Sequence, residues 1–190
     1  VVADWHFEIA AGEKSLLEQL GVTSLAGFGA QDLSAALGAA GALLLYARNT
    51  QGKQLQHVRT IAVENESQYI GMDAATRRNL EITEPLRGGQ QSIGPTLLST
   101  LDHCRTTMGS RLLRHWLQHA SREQQVARNR QAAIASLIER GTIESLSQAL
   151  SPVPDIERIA ARIALLSARP RDLSALRAGL QQLPQLRSVL

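Results

Sequence analysis

Apolar positions recur at helical spacing through most of the chain. In "FEIAAGEKSLLEQLG", Leu16, Leu17 and Leu20 form a stripe that predicts a helix over residues 10–20, with Gly21 as its stop. "DLSAALGAAGALLLYARNTQG" predicts a longer helix, with Asp32 placed to cap its start and Gly52 past its end. Leu33, Leu37, Ala40 and Leu44 line one of its faces. Gly38 and Gly41 lie inside it and cost about 1 kcal/mol each relative to Ala. Close approach of a neighbouring backbone is the return expected for them.

The helical pattern breaks at "HVRTIAVENESQYIGM", whose β-branched residues predict a short extended or β segment near residues 57–71. "RGGQQSIGP" reads as a loop. Beyond it the helical pattern returns. "PTLLSTLD" predicts a short helix with Pro95 in its first turn. In "GSRLLRHWLQH", Leu112, Leu113, Trp116 and Leu117 share a face, which predicts that Trp116 is core. "SREQQVARNRQAAIASLIERG" opens with Ser121 and Gln124 at capping-box spacing and closes at Gly141. Ile156, Ile159, Ile163 and Leu166 step at helical spacing, as do Leu173, Leu176, Leu180 and Leu183. Two such helices joined at "SARPR" predict a helical hairpin or one bent arm.

Composition supports a mainly α fold: the 44% of hydrophobic residues are mostly aliphatic, with only six aromatics. The charge is divided along the chain. Residues 1–66 hold four Lys and Arg against seven Asp and Glu, and residues 67–190 hold sixteen against ten. With the change of pattern, this sets an expected domain boundary near residue 66. A net charge of +3 is modest; the basic second part could attract nucleic acid, but such an excess is common in domains that never touch it, and that ordinary reading is favoured. The single Cys104 excludes an intramolecular disulfide and points to a reducing, cytoplasmic setting. No apolar run is long enough to span a membrane, so no membrane partner is expected. The chain opens on Val1 and its last helical pattern runs into Leu190 without a stop signal, which leads to the expectation of a piece of a longer chain.

Candidate chemistry is sparse. His115 and His119 stand at i and i+4, a zinc-protease spacing, but Trp116 occupies the place of the general-base glutamate; no metal site is expected. Asp102, His103 and Cys104 are adjacent, and neighbours on a chain rarely meet side chain to side chain as a nucleophile and base must. Nothing matches GxxxxGK[ST], so no catalytic residue and no bound cofactor is expected in these residues. Eighteen arginines against two lysines is the unusual abundance. In "MDAATRRNLEI" they join an asparagine and a glutamate: Arg77, Arg78, Asn79 and Glu81. Arg77 and Glu81 have the spacing of a helical ion pair, which is favoured over phosphate binding on spacing alone.

That stretch closely resembles the start of the core, or lever, domain of the bacterial MutS family, the mismatch-recognition ATPases. The likeness continues through "TLLSTLDHCRTTMGSRLLRHWL" and "DIERIAARIALLSARPRDLSALRAGLQQLPQL". Upstream, "AGFGAQDLSAALGAAGALLLYARNTQGKQLQHVRTI" resembles the helical end of the MutS connector domain. The resemblance covers nearly the whole chain. It implies a connector remnant over residues 1–66 followed by the first part of the core domain over 67–190.

The function implied is that of a link between DNA-binding and ATPase ends, with no catalysis in this piece. The parent protein would use ATP and Mg, recognise mismatched duplex DNA, form a homodimer and meet a MutL-type partner through the connector. Arg77, Arg78, Asn79 and Glu81 match the family's core-domain motif and are expected to form a structural joint. The "HFEI" near the start departs from the family's mismatch-reading Phe-x-Glu, because Phe7 and Glu8 are adjacent. The alternative is an autonomous basic helical module that binds DNA without catalysis.

Overall fold

The computed structural model describes residues 4–51, 55–86 and 94–190. The predicted stop at Gly52 and most of the loop "RGGQQSIGP" lie outside the described residues. The fold is mainly α, and the chain divides into two compact units, Val1–Glu64 and Asn65–Leu190.

The first unit is built on two helices, α1 (Ile9–Leu20) and α2 (Ser34–Gln51). Gly21 ends α1 in the left-handed conformation that glycine adopts without steric cost, at φ 67°. Asp32 does not cap α2. The helix starts two residues later, where the Leu33 carbonyl accepts from the Leu37 N–H.

Gly12 and Gly41 meet across the two helices, and seven residues on in each, Arg48 reaches Gln19. The offset of 29 positions is the same at both contacts, so α1 and α2 run side by side in the same direction. The glycines make this approach possible. A Cβ on Gly41 would fall on the backbone of Gly12, and one on Gly38 would strike the Phe7 carbonyl. A Cβ on Gly12 would run into the Leu37 carbonyl group and lie 3.0 Å from Gly38 Cα. The core beneath is aliphatic: Leu16, Leu37, Leu44 and Leu55 are buried, with Leu25 and Ala30 closing it from the return strap, residues 21–33.

The second unit holds eight helices among its described residues: α3 (Ala74–Asn79), α4 (Leu97–Leu101), α5 (Thr107–Gln118), α6 (Gln124–Glu139), α7 (Ile143–Leu150), α8 (Ile156–Ala164), α9 (Pro170–Gln181) and α10 (Leu183–Val189). The predicted extended segment survives as one isolated antiparallel bridge, Tyr69 with Ser121, flanked by Ile70 N–H to Ala120 C=O at 2.8 Å and Arg122 N–H to Gln68 C=O at 2.9 Å. Ser121 is therefore tied to the bridge and makes no capping box; its hydroxyl accepts from the Glu123 N–H, and α6 begins at Gln124. Pro95 lies before α4, which Thr96 caps through a reciprocal pair with Ser99. Gly141 follows α6 with φ 64°, as a glycine stop requires.

The α8–α9 pair is an antiparallel hairpin. At one end Arg162 pairs with Asp172; at the other, Gly179 fits so closely that a Cβ there would lie 2.7 Å from Pro154 Cδ. The turn begins earlier than the apolar step suggested. Leu166 is outside α8, left-handed at φ 53° and 77% exposed. Trp116 also departs from expectation. It is 37% exposed, and the Arg130 guanidinium stands 3.7 Å from its ring centroid, so one face of the indole carries a cation instead of an aliphatic layer.

Candidate structural joint

The four residues singled out in "RRNLE" lie on and just after α3. Asp73 caps that helix by accepting from the Thr76 N–H, and this hydrogen bond holds its carboxyl below the usual carboxylate range. Arg77 is half-buried, with its Nε enclosed and without a hydrogen-bond partner among the described residues; Arg78 and Asn79 are exposed. The helix ends at Asn79, and Leu80 is its C-cap.

Glu81 therefore never joins the helical turn that would place it over Arg77. It takes a left-handed backbone at φ 46°, uncommon for a residue with a Cβ. Its carboxylate accepts from the Leu86 N–H at 2.6 Å. Its carbonyl accepts from the Leu97 N–H at 3.0 Å, and the Ile82 carbonyl accepts from the Leu98 N–H at 2.9 Å. These two carbonyls satisfy the opening N–H groups of α4, which lack partners within their own helix. The helical Arg77–Glu81 pair is thus replaced by a backbone junction between α3 and α4, with Glu81 at its centre. Arg78, Asn79 and Leu86 border an open cleft of about 430 Å3 beside it.

The strongest polar constellation was not singled out in the sequence. Arg111 on α5 grips Asp155, the N-cap of α8, with Nη1 to Oδ2 at 2.6 Å and Nη2 to Oδ1 at 2.8 Å. Its Nη2 also reaches Glu157 Oε2 at 2.6 Å. Asp155 further accepts from the Thr107 hydroxyl at 3.0 Å and from the Arg158 N–H at 3.2 Å. Each carboxylate oxygen thus accepts two hydrogen bonds, which fills its lone-pair sites. The Arg111 guanidinium, more than any other group, holds the Asp155 carboxyl far below the carboxylate range, and Asp155 in turn raises the pKa of Arg111. Two further acidic anchors share this logic. Asp172 accepts from the Arg169 N–H at 2.9 Å and from Arg162 at 2.7 Å. Asp102 accepts from the Ser110 hydroxyl at 3.0 Å and from the Cys104 N–H at 3.2 Å.

Cys104, His115 and His119 make the following contacts. Cys104 is exposed, yet local desolvation at its sulfur and the neighbouring Asp102 carboxylate both push the thiol up, away from the thiolate a nucleophile needs. The rings of His115 and His119 stack with centroids 4.5 Å apart, and His119 Nδ1 lies 3.2 Å from the His115 carbonyl. Among the described residues no three of His, Cys, Asp and Glu gather as metal ligands would.

The family comparison follows the same division of the chain. Residues 1–59 match the family described as MutS domain II, and residues 75–190 match MutS domain III. The domain III match begins within α3 and contains α4, Arg111, Asp155 and the α8–α9 hairpin. Since that match alone covers more than half of the sequence, the chain belongs to the MutS family of DNA mismatch repair proteins.

Proposed function

We propose that these residues are the structural coupling between the DNA-binding and ATP-hydrolysing ends of a mismatch repair ATPase, and that they carry no catalysis of their own. The observation that supports this reading most is the Arg111–Asp155–Glu157 cluster. It joins α5 to the start of α8, with Arg111 and Asp155 44 positions apart in sequence, through a polar, directional grip. A coupling element needs contacts that hold one arrangement and can be exchanged for another, and coupling between sites requires such a bistable element.

In the parent protein, ATP and Mg would be bound elsewhere, because no stretch here fits a P-loop. Mismatched duplex DNA, a MutL-type partner reached through domain II, a second copy of the parent and a cytoplasmic setting complete the proposal. Arg77, Arg78, Asn79 and Glu81 serve in it as a joint, with Glu81 as its backbone pivot.

The test is Arg111→Ala in the parent protein. ATP-stimulated release from mismatched DNA should slow while ATP hydrolysis without DNA stays close to that of the unaltered protein. Unchanged release in a folded variant would overturn the coupling role. The 190-residue chain by itself should show no saturable ATP hydrolysis.

A second reading, an autonomous basic DNA-binding module, draws on the excess of arginine in residues 67–190. Its weakness is that Arg111 and Arg162 are spent on carboxylates and Arg130 on Trp116. Strongly salt-dependent duplex binding by the isolated chain would favour it.

A further inference from the structure

In the first unit an open cleft of about 750 Å3 is bordered by the last turns of α1 and α2 and by residues 56–59. Among the described residues Glu18, Arg48 and Arg59 are its charged groups, and Leu20 and Val58 supply apolar wall. Gln19 organises it. The amide nitrogen donates to the carbonyls of Leu55 at 2.7 Å and Val58 at 3.1 Å, and the amide oxygen accepts from Arg48 Nη2 at 2.9 Å. With both N–H groups committed to backbone, the amide oxygen is fixed toward Arg48, which presets the guanidinium.

Arg48 spends one of its five N–H donors in this way, and Arg59 spends its Nε on the Gln56 carbonyl at 3.2 Å. The ion pairs among the described residues involve neither arginine, although Glu18 borders the same cleft. Two arginines with unspent donors therefore border one cleft from different elements, α2 and the segment after it.

We propose that this cleft binds a phosphoryl group. A carboxylate offers two oxygens in one plane, which one guanidinium fork meets edge-on. A tetrahedral group with several oxygens can take two forks arriving from different directions. Glu18 tempers the site, leaving one net positive charge from these three side chains. The same chemistry is offered by a free phosphate monoester and by a nucleic-acid backbone, and the experiment separates the two.

The 190-residue chain is titrated with inorganic phosphate, acetate and a short DNA duplex, with amide NMR shifts as the readout. Saturable phosphate binding, stronger than acetate binding, should move residues around Gln19 and Arg48. Arg48→Ala should weaken it about tenfold, the loss of one charge-assisted pair of hydrogen bonds. Arg59→Ala alters an exposed side chain outside the helices and should weaken it as well. Glu18→Gln should tighten it about twofold, by removing a like charge near the ligand. Binding of phosphate but not duplex identifies a free phosphate ester as the source; duplex binding that phosphate competes away identifies the backbone. Absence of saturable binding, equal affinity for acetate, or weaker binding in Glu18→Gln would overturn the proposal.

Discussion

Arg111 and Asp155 meet through two parallel hydrogen bonds, at 2.6 and 2.8 Å, and the aspartate that receives them is also the cap of α8. One carboxylate thus fixes where a helix starts and which other helix it is fastened to. Arg111→Lys should not restore this, because an ammonium cannot form the two-pronged contact. Arg111→Lys, Arg111→Ala and Asp155→Asn should each lower the midpoint of urea unfolding. The double variant Arg111→Ala/Asp155→Asn should lose less than the Arg111→Ala and Asp155→Asn losses added together, as expected of groups in direct contact. Additive losses would show that the pair acts independently.

The same pair sets an acid dependence. The folded-state pKa of Asp155 lies below its ordinary value of 3.8. Its contribution to stability is therefore fully present above that value and is lost as pH falls through the lower, folded pKa. Unfolding midpoints measured from pH 6 downward should decline below about pH 4. The decline should be shallower in Asp155→Asn, which has no carboxyl to titrate. A parallel decline in both would assign the acid sensitivity to other carboxylates.

The glycine contact between α1 and α2 makes a sharper mutational prediction. Gly41→Ala places a methyl group on the backbone of Gly12, and neither side can yield as a flexible side chain would. The variant should lose roughly 2–3 kcal/mol, at the upper end of overpacking costs. Gly27→Ala is the control: its added Cβ meets nothing within 4 Å, and its stability should stay within about 1 kcal/mol of the parent. Urea unfolding of both variants checks this. Equal stabilities would mean that the helices are further apart than described.

Trp116 is partly exposed and partly covered by Arg130. Trp116→Ala should therefore cost about 1–2 kcal/mol, less than the ~3–5 kcal/mol of a fully buried aromatic. Arg130→Ala should cost about 0.5–1 kcal/mol and shift the tryptophan emission maximum. A loss as large as that of a core tryptophan would place a packed layer over the ring.

For Arg77 and Arg78, the prediction concerns salt. If they serve the joint, Arg77→Ala and Arg78→Ala should leave the salt slope of DNA binding by the parent protein unchanged. A slope reduced by about 0.9 in either variant, with stability intact, would assign that arginine to a phosphate.

Local signals in the chain were legible where the cause was local. Gly21 and Gly141 end helices as their positions suggested, and Gly38 and Gly41 admit a close backbone. Their partner in that approach, Gly12, is likewise a glycine inside a predicted helix, but no local pattern tells which helix lies beside it. The Arg77–Glu81 spacing misled because it presumed a helix that stops at Asn79. Arg111 and Asp155 are 44 positions apart, and no periodicity connects them. The residual hint was an aspartate just before the Ile156, Ile159, Ile163 run, in cap position. Trp116 lay on an apolar helical face, but the pattern of one helix does not reveal that the neighbour offers an arginine.

The parallel course of α1 and α2 divides this unit into parts that tolerate change differently. Because Gly12, Gly38 and Gly41 set the contact, an inserted residue inside either helix would rotate everything beyond it by about 100° and swing a bulky side chain into the gap. The return strap over residues 21–33 has no such periodicity to keep. Extra length there would cost little, since loop closure grows only slowly with chain length. Away from the Leu25 and Ala30 anchors, the strap is the place where a tag or reporter could be spliced without disturbing the seam.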